Sequence, residues 1–270
     1  MKKKLIRTLT SISCSNLVKS KRSQVTIFIL AAVAIVAVII ILFAFRNTIS
    51  ISFSKQTLPN PQQDMESCIS ENVENALDII LPQGGYISPE NYKLYNNIKV
   101  AYLCYNKNYY APCINQEPLY LDRLKLEIKN YISSKVEDCF YNLKKDYEKR
   151  GYDSSFGSTN LQIELNPKEI NVIINKNINL EKGSDKKSFD RISVKITSPL
   201  YDLATIAQEI VNQEAKFCYF EYVGYELTYP AFSIEKMDID GETKVYGVKE
   251  KSSNSQINFA VRSCAMPAGL

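Results

Sequence analysis

Cysteine is the residue in this chain with the widest covalent chemistry. Seven occur, Cys14, Cys68, Cys104, Cys113, Cys139, Cys218 and Cys264, and there is no histidine. Without an imidazole, Ser–His and Cys–His nucleophilic catalysis have no base, and His-ligated metal sites are excluded. No two cysteines stand in a C-x-x-C pair, so a zinc site is not expected. There is no nucleophile elbow, phosphate loop or dinucleotide fingerprint. The run Asp238-Ile239-Asp240-Gly241-Glu242 fits the first and third ligands of a calcium loop, but its glycine comes too early and no glutamate closes it. Between two strands, Asp240-Gly241 reads as a hairpin turn. No spacing of carboxylates singles out a pair. Catalytic, cofactor-binding and metal-ligating residues are therefore not expected, and the chain does not read as an enzyme.

What the cysteines can do is pair with one another. The six beyond Cys14 are an even set, which in an oxidising compartment implies disulfides; the other reading is buried free thiols in a cytosolic domain. The preferred pairs are Cys104–Cys113, close across a turn, and Cys68–Cys139, on two predicted helices, which leaves Cys218–Cys264.

The compartment is argued from the N-terminus. Gln24–Phe45 is 22 residues without a charge. As a helix it would be about 33 Å long, enough to span a bilayer. Residues 1–23 carry seven basic groups and no acidic one, Arg46 adds one more, and 25 basic against 29 acidic residues leave 47–270 at −4. The basic patch is thus a membrane flank, not a nucleic-acid surface, and by the positive-inside rule it stays in the cytoplasm with the domain outside. The apolar run is longer than a secretory h-region and no small-x-small site follows, so it is expected to remain as a single-pass anchor in the lipid bilayer.

The remaining elements follow from periodicity. Residues 46–63 read as a linker, or over Thr48–Phe53 as a short edge strand. Asp64–Leu81 and Leu119–Arg150 carry apolar stripes at helical spacing, with Cys68 and Cys139 on them. Between them lies a Tyr-rich segment with one strand, Ile98–Cys104. From Asn160 the period changes to two, giving an antiparallel meander through Leu161, Val172 and Val194. Ser198-Pro199 opens a helix expected to lie on that sheet. Shorter strands follow at 220–229, 232–237, 243–248 and 257–261. The expected fold is α+β: an N-terminal transmembrane helix, two amphipathic helices, then an antiparallel sheet with one helix packed on it. The outer domain is 64–270, with a helical, Tyr-rich part at 64–151 and a sheet part at 158–265.

Lys21-Arg22-Ser23-Gln24-Val25-Thr26-Ile27-Phe28 resembles the class III signal peptide of archaeal type IV pilins and archaellins, although Ser23 stands where Gly or Ala is commoner and Phe28 where many pilins have Glu. The resemblance covers this start only, which is also similar to single-pass surface proteins of small-genome archaea. It implies a cut by a prepilin peptidase between Ser23 and Gln24, and self-association through the N-terminal helix. The function expected is that of a membrane-anchored extracytoplasmic structural or interaction protein. The alternative is a surface ligand- or glycan-binding module using the Tyr-rich segment 86–110, since tyrosine offers a flat apolar body and a polar tip.

Overall fold

The computed structural model describes residues 29, 31–38 and 59–267. The chain divides into two compact units, Met1–Thr57 and Leu58–Leu270. In the first, residues 31–38 are helical, with Val33, Ile35, Val36 and Val38 exposed. The transmembrane helix expected over Gln24–Phe45 is not found: among the described residues no helix is long and apolar enough to cross a membrane. The leader 1–23, Ser23, Gln24 and Thr48–Phe53 lie outside the described residues.

The second unit begins earlier than the sequence suggested. Pro59 and Pro61, expected in a linker, are buried, and Pro61 is the first residue of helix α1, Pro61–Ile80. Proline suits that position because its missing N–H would have no helical partner there. Met65, Ile69, Val73, Ala76 and Ile80 form the buried stripe. The helix ends at Ile80, two residues before Pro82, and the Gly85 N–H returns to the Ile80 carbonyl at 2.7 Å. Gly85 has φ +89°, and a Cβ there would lie 2.7 Å from the Tyr120 hydroxyl and from Leu124, so the position needs glycine on both counts.

Helix α2, Tyr120–Lys149, buries Tyr120, Leu124, Ile128, Ile132, Val136, Cys139, Phe140, Leu143 and Tyr147, one residue per turn along thirty residues. Helix α3, Leu200–Phe217, ends at Cys218, which takes the left-handed conformation (φ 57°) that glycine usually supplies. Residues 220–229, expected as a strand, instead contain helix α4, Tyr222–Thr228. Their Tyr, Val and Thr content favours a strand. Two local contacts override it: the Glu221 carboxylate accepts the Gly224 N–H at 3.3 Å, and Tyr225 packs on Phe220 and Tyr229.

There are two sheets where the sequence suggested one. The first comprises β1 (Tyr92–Tyr95), β2 (Ile98–Tyr105), β3 (Ile114–Asn115), β8 (Phe232–Asp238), β9 (Lys244–Glu250) and β10 (Gln256–Arg262), in the order β1-β2-β10-β9-β8 with β3 beside β2. It is mixed, because β10 pairs with β2 in parallel. The second is the meander, β5 (Asn160–Asn166), β6 (Glu169–Lys182) and β7 (Asp185–Thr197), antiparallel throughout. It gains a short strand β4, Asp153–Phe156, against the far half of β6. Where the β6–β7 register shifts between Asn175 and Ile178, Lys176 turns inward and is 6% exposed, with its ammonium on Thr159 (2.6 Å) and Glu137 (3.3 Å).

Helix α3 was expected on the meander, but it lies mainly against β9, β10 and β2. The meander's apolar face is already covered, by α2 on β4 and β5 and by α1 on β7. One hydrophobic cluster, from Met65 on α1 to Val261 on β10, runs through all these elements. A smaller one, Val100, Tyr102, Val245 and Ala260, forms separately on the first sheet.

Candidate functional site

The cysteines are brought together in three pairs: Cys68–Cys139, Cys104–Cys113 and Cys218–Cys264, with Cα atoms 6.2, 5.3 and 5.7 Å apart. These are the pairs preferred on sequence grounds. The first links α1 to α2. The second closes the Tyr-rich loop after β2. The third joins the end of α3 to the residues after β10. Ser23 and Gln24, the expected processing pair, fall outside the described residues.

The tyrosines of 86–110 do not form one platform. Tyr102 is buried and bonds Thr243 at 3.0 Å, with Tyr105 edge-on to it. Tyr109 donates to Glu242 at 3.0 Å and lies against the Arg262 guanidinium. Tyr110 is exposed. Asp238–Glu242 is the hairpin turn between β8 and β9, with φ +70° at Gly241. Asp238 accepts the Gly241 N–H, and Asp240 accepts those of Glu242 and Thr243. Among the described residues no cluster of carboxylates and thiols could hold a metal ion.

Asp240 also takes the Lys93 ammonium. Partial burial raises its pKa, but Lys93 and the two turn amides outweigh that and leave it below the ordinary carboxylate value. The turn's contribution is therefore complete above the unfolded carboxylate pKa, about 3.9, and is lost as pH falls through the lowered folded value. Lys93→Ala is expected to move the Asp240 carboxyl titration, followed by carbon NMR, upward; an unchanged titration would show that Lys93 does not hold it.

A cleft of about 650 Å³ lies beside Cys218 and Cys264, lined by Lys236, Asp240, Glu242 and Lys244 among others. Its charges are largely spent within the protein. Glu242 pairs with Arg262 at 3.0 Å, Asp240 with Lys93, and Lys244 with the fully buried Glu214 at 2.7 Å. These contacts fasten the fold.

A second cavity, of about 390 Å³, is more open in its chemistry. It lies between the Tyr86–Asn91 loop, β2 and the start of α2, and is lined by Tyr86, Ser88, Glu90, Asn91, Gln116, Glu117, Arg123 and Glu127 among others. Three interactions fix its floor. The Tyr86 hydroxyl donates to Glu117 Oε1, the Arg123 Nε donates to the same oxygen at 3.3 Å, and the guanidinium lies over the Tyr86 ring. Burial and the Glu117 carboxylate hold the Tyr86 phenol well above its usual pKa, so it remains a donor. Glu127 Oε2 accepts the Ile87 N–H at 3.1 Å, while its other oxygen is 3.9 Å from Arg123. Both carboxylates are thus tied in part to one guanidinium between them, an arrangement that positions hydrogen-bonding groups around a space. Sequence reasoning missed this site. Arg123 and Glu127 stand four apart on α2, which reads as an ordinary surface ion pair, and Glu117 meets Tyr86 only through the fold.

The class defined by these features is an α+β domain with each cysteine beyond Cys14 paired and a polar, half-enclosed cavity beside β2 and α2. Comparison with protein-family models, curated proteins and solved structures finds no match for the chain.

Proposed function

We propose that this is an exported structural or interaction protein, acting outside the cytoplasm after removal of its leader between Ser23 and Gln24. The observation that carries the reading is the pairing of all six cysteines of the described domain, an arrangement that persists in oxidising compartments. The resemblance of Lys21–Phe28 to a class III signal peptide also supports export. Two exposed apolar surfaces suit an interaction role. Helix 31–38 exposes Val33, Ile35, Val36 and Val38, which favours burial against further copies of the chain. Helix α4 buries no residue and exposes Val223 and Leu227, four apart on one face, the latter 81% exposed.

The test is the intact mass of native protein, isolated from cells with thiols alkylated at lysis. Loss of residues 1–23 with no alkylation is expected. Retention of Met1 would remove the processing step, and six alkylated thiols would remove the oxidising location. Sedimentation of the same material is expected to show assembly, and a monomer at every concentration would overturn self-association.

A further inference from the structure

We infer that the cavity between the Tyr86–Asn91 loop and α2 is a binding site for a neutral saccharide. The argument proceeds by size, polarity and charge. At about 390 Å³ the cavity falls within the range of small-ligand sites, ~300–1,000 Å³. Its working groups are polar, so it has no slot for a fatty or flat aromatic ligand. Three carboxylates, Glu90, Glu117 and Glu127, face one cation, Arg123, and that excess opposes phosphates, nucleotides and other anions. A ligand ammonium would find its place taken, because the Arg123 guanidinium already lies between Glu117 and Glu127.

What remains is a ligand that both donates and accepts hydrogen bonds without net charge, which is the chemistry of adjacent sugar hydroxyls. The unspent groups match it. Glu117 Oε1 takes both the Tyr86 and Arg123 bonds, leaving Oε2 to accept. Glu127 Oε1 has only a long contact to Arg123. Among the described residues, the terminal guanidinium nitrogens of Arg123, the Asn91 amide and the Ser88 hydroxyl make no hydrogen bond, so they supply donors alongside those acceptors. The site is also held in advance of binding. Gln116 N–H is anchored on Leu103, Glu117 N–H on Asn115, and Tyr102 N–H on the Asn91 carbonyl, at 2.8, 2.9 and 3.0 Å. Little ordering is then left to oppose association. The inference holds whether or not the leader is cut.

The experiment is calorimetric titration of the full chain with neutral hexoses and with neutral oligosaccharides, the two arms separating a free sugar from a glycan chain. Spermidine and inorganic phosphate serve as charged controls. Saturable binding in at least one sugar arm is expected, with none for phosphate and weaker or none for spermidine. Asn91→Ala and Glu127→Gln are each expected to weaken the sugar by about tenfold, the loss of roughly one hydrogen bond. Both should leave the unfolding midpoint unchanged, since Asn91 is exposed and glutamine can still accept the Ile87 N–H. No binding in either sugar arm overturns the assignment. So does preference for spermidine, or sugar binding that both folded variants retain in full.

Discussion

Replacing Lys244 with methionine is expected to cost about 3–5 kcal/mol of folding stability, the usual penalty for leaving a buried charge without its partner. Glu214 on α3 is 0% exposed, and its carboxylate takes the Lys244 ammonium at 2.7 and 2.9 Å together with the Tyr246 hydroxyl. The same ammonium donates to the Cys218 carbonyl at 2.7 Å, where α3 ends. The Glu214 backbone carbonyl accepts from Ser263, whose oxygen in turn accepts the Cys113 N–H. One ion pair therefore sits where α3, β9, the end of β10 and the Cys104–Cys113 loop meet. Methionine fills much of the lysine volume, so cavity formation is a small part of the effect. The companion variant Glu214→Gln/Lys244→Met keeps an acceptor for Tyr246 and removes the stranded charge. It is expected to recover more than half of the loss. Urea unfolding of the two full-length variants measures this, and a single-variant cost below about 1 kcal/mol, the scale of an exposed ion pair, would show that the pair is solvated.

The features visible beforehand were those set by local periodicity. The stripe from Leu124 to Tyr147 marks α2 because each position repeats a turn later, and Leu161, Ile163 and Leu165 mark β5 because alternate residues face the core. The cysteine pairs could be drawn because two lie across a turn and two on helices that bury the same stripe. What the chain did not reveal depends on partners distant in sequence. Ala260 and Val261 lie beside Tyr102 and Cys104 in a parallel pairing that joins strands from opposite ends of the domain. An apolar run shows that a strand is buried, but it does not show which strand lies next to it. The same limit hid the cavity, since Tyr86 and Glu117 are 31 residues apart and Ile87 and Glu127 are 40 apart. Tyr225 illustrates the opposite case, in which strand propensity was read correctly and then lost to ring packing against Phe220 and Tyr229. The span Gln24–Phe45 was read from composition, and of it only residues 29 and 31–38 are described.

Removing the Cys68–Cys139 bridge by double alanine substitution is expected to destabilise the protein more than removing either of the others. The bridges close loops of 71, 46 and 9 residues for Cys68–Cys139, Cys218–Cys264 and Cys104–Cys113. Restriction of the unfolded chain then assigns them roughly 4.4, 4.0 and 2.6 kcal/mol. The shortest loop is nested within the longest, which trims the largest value only slightly because closure entropy grows with the logarithm of length. The native side of the balance points the same way. Cys139 is in the α2 stripe, and the bridge ties it to α1, whose other polar ties to the fold include Asp64 to Tyr147 at 2.7 Å and Gln62 to the Ser193 backbone. Without the bridge, α1 keeps its apolar stripe but loses its covalent hold, so unfolding of α1 ahead of the sheets becomes the accessible first step. The unfolded chain also becomes more open, which raises the denaturant slope in step with the newly exposed surface. Guanidinium titrations of the three double-alanine variants, each with the remaining pairs oxidised, measure both effects. An equal or larger loss from opening Cys104–Cys113 would mean that native contacts around the short loop, and not chain restriction, decide what each bridge contributes.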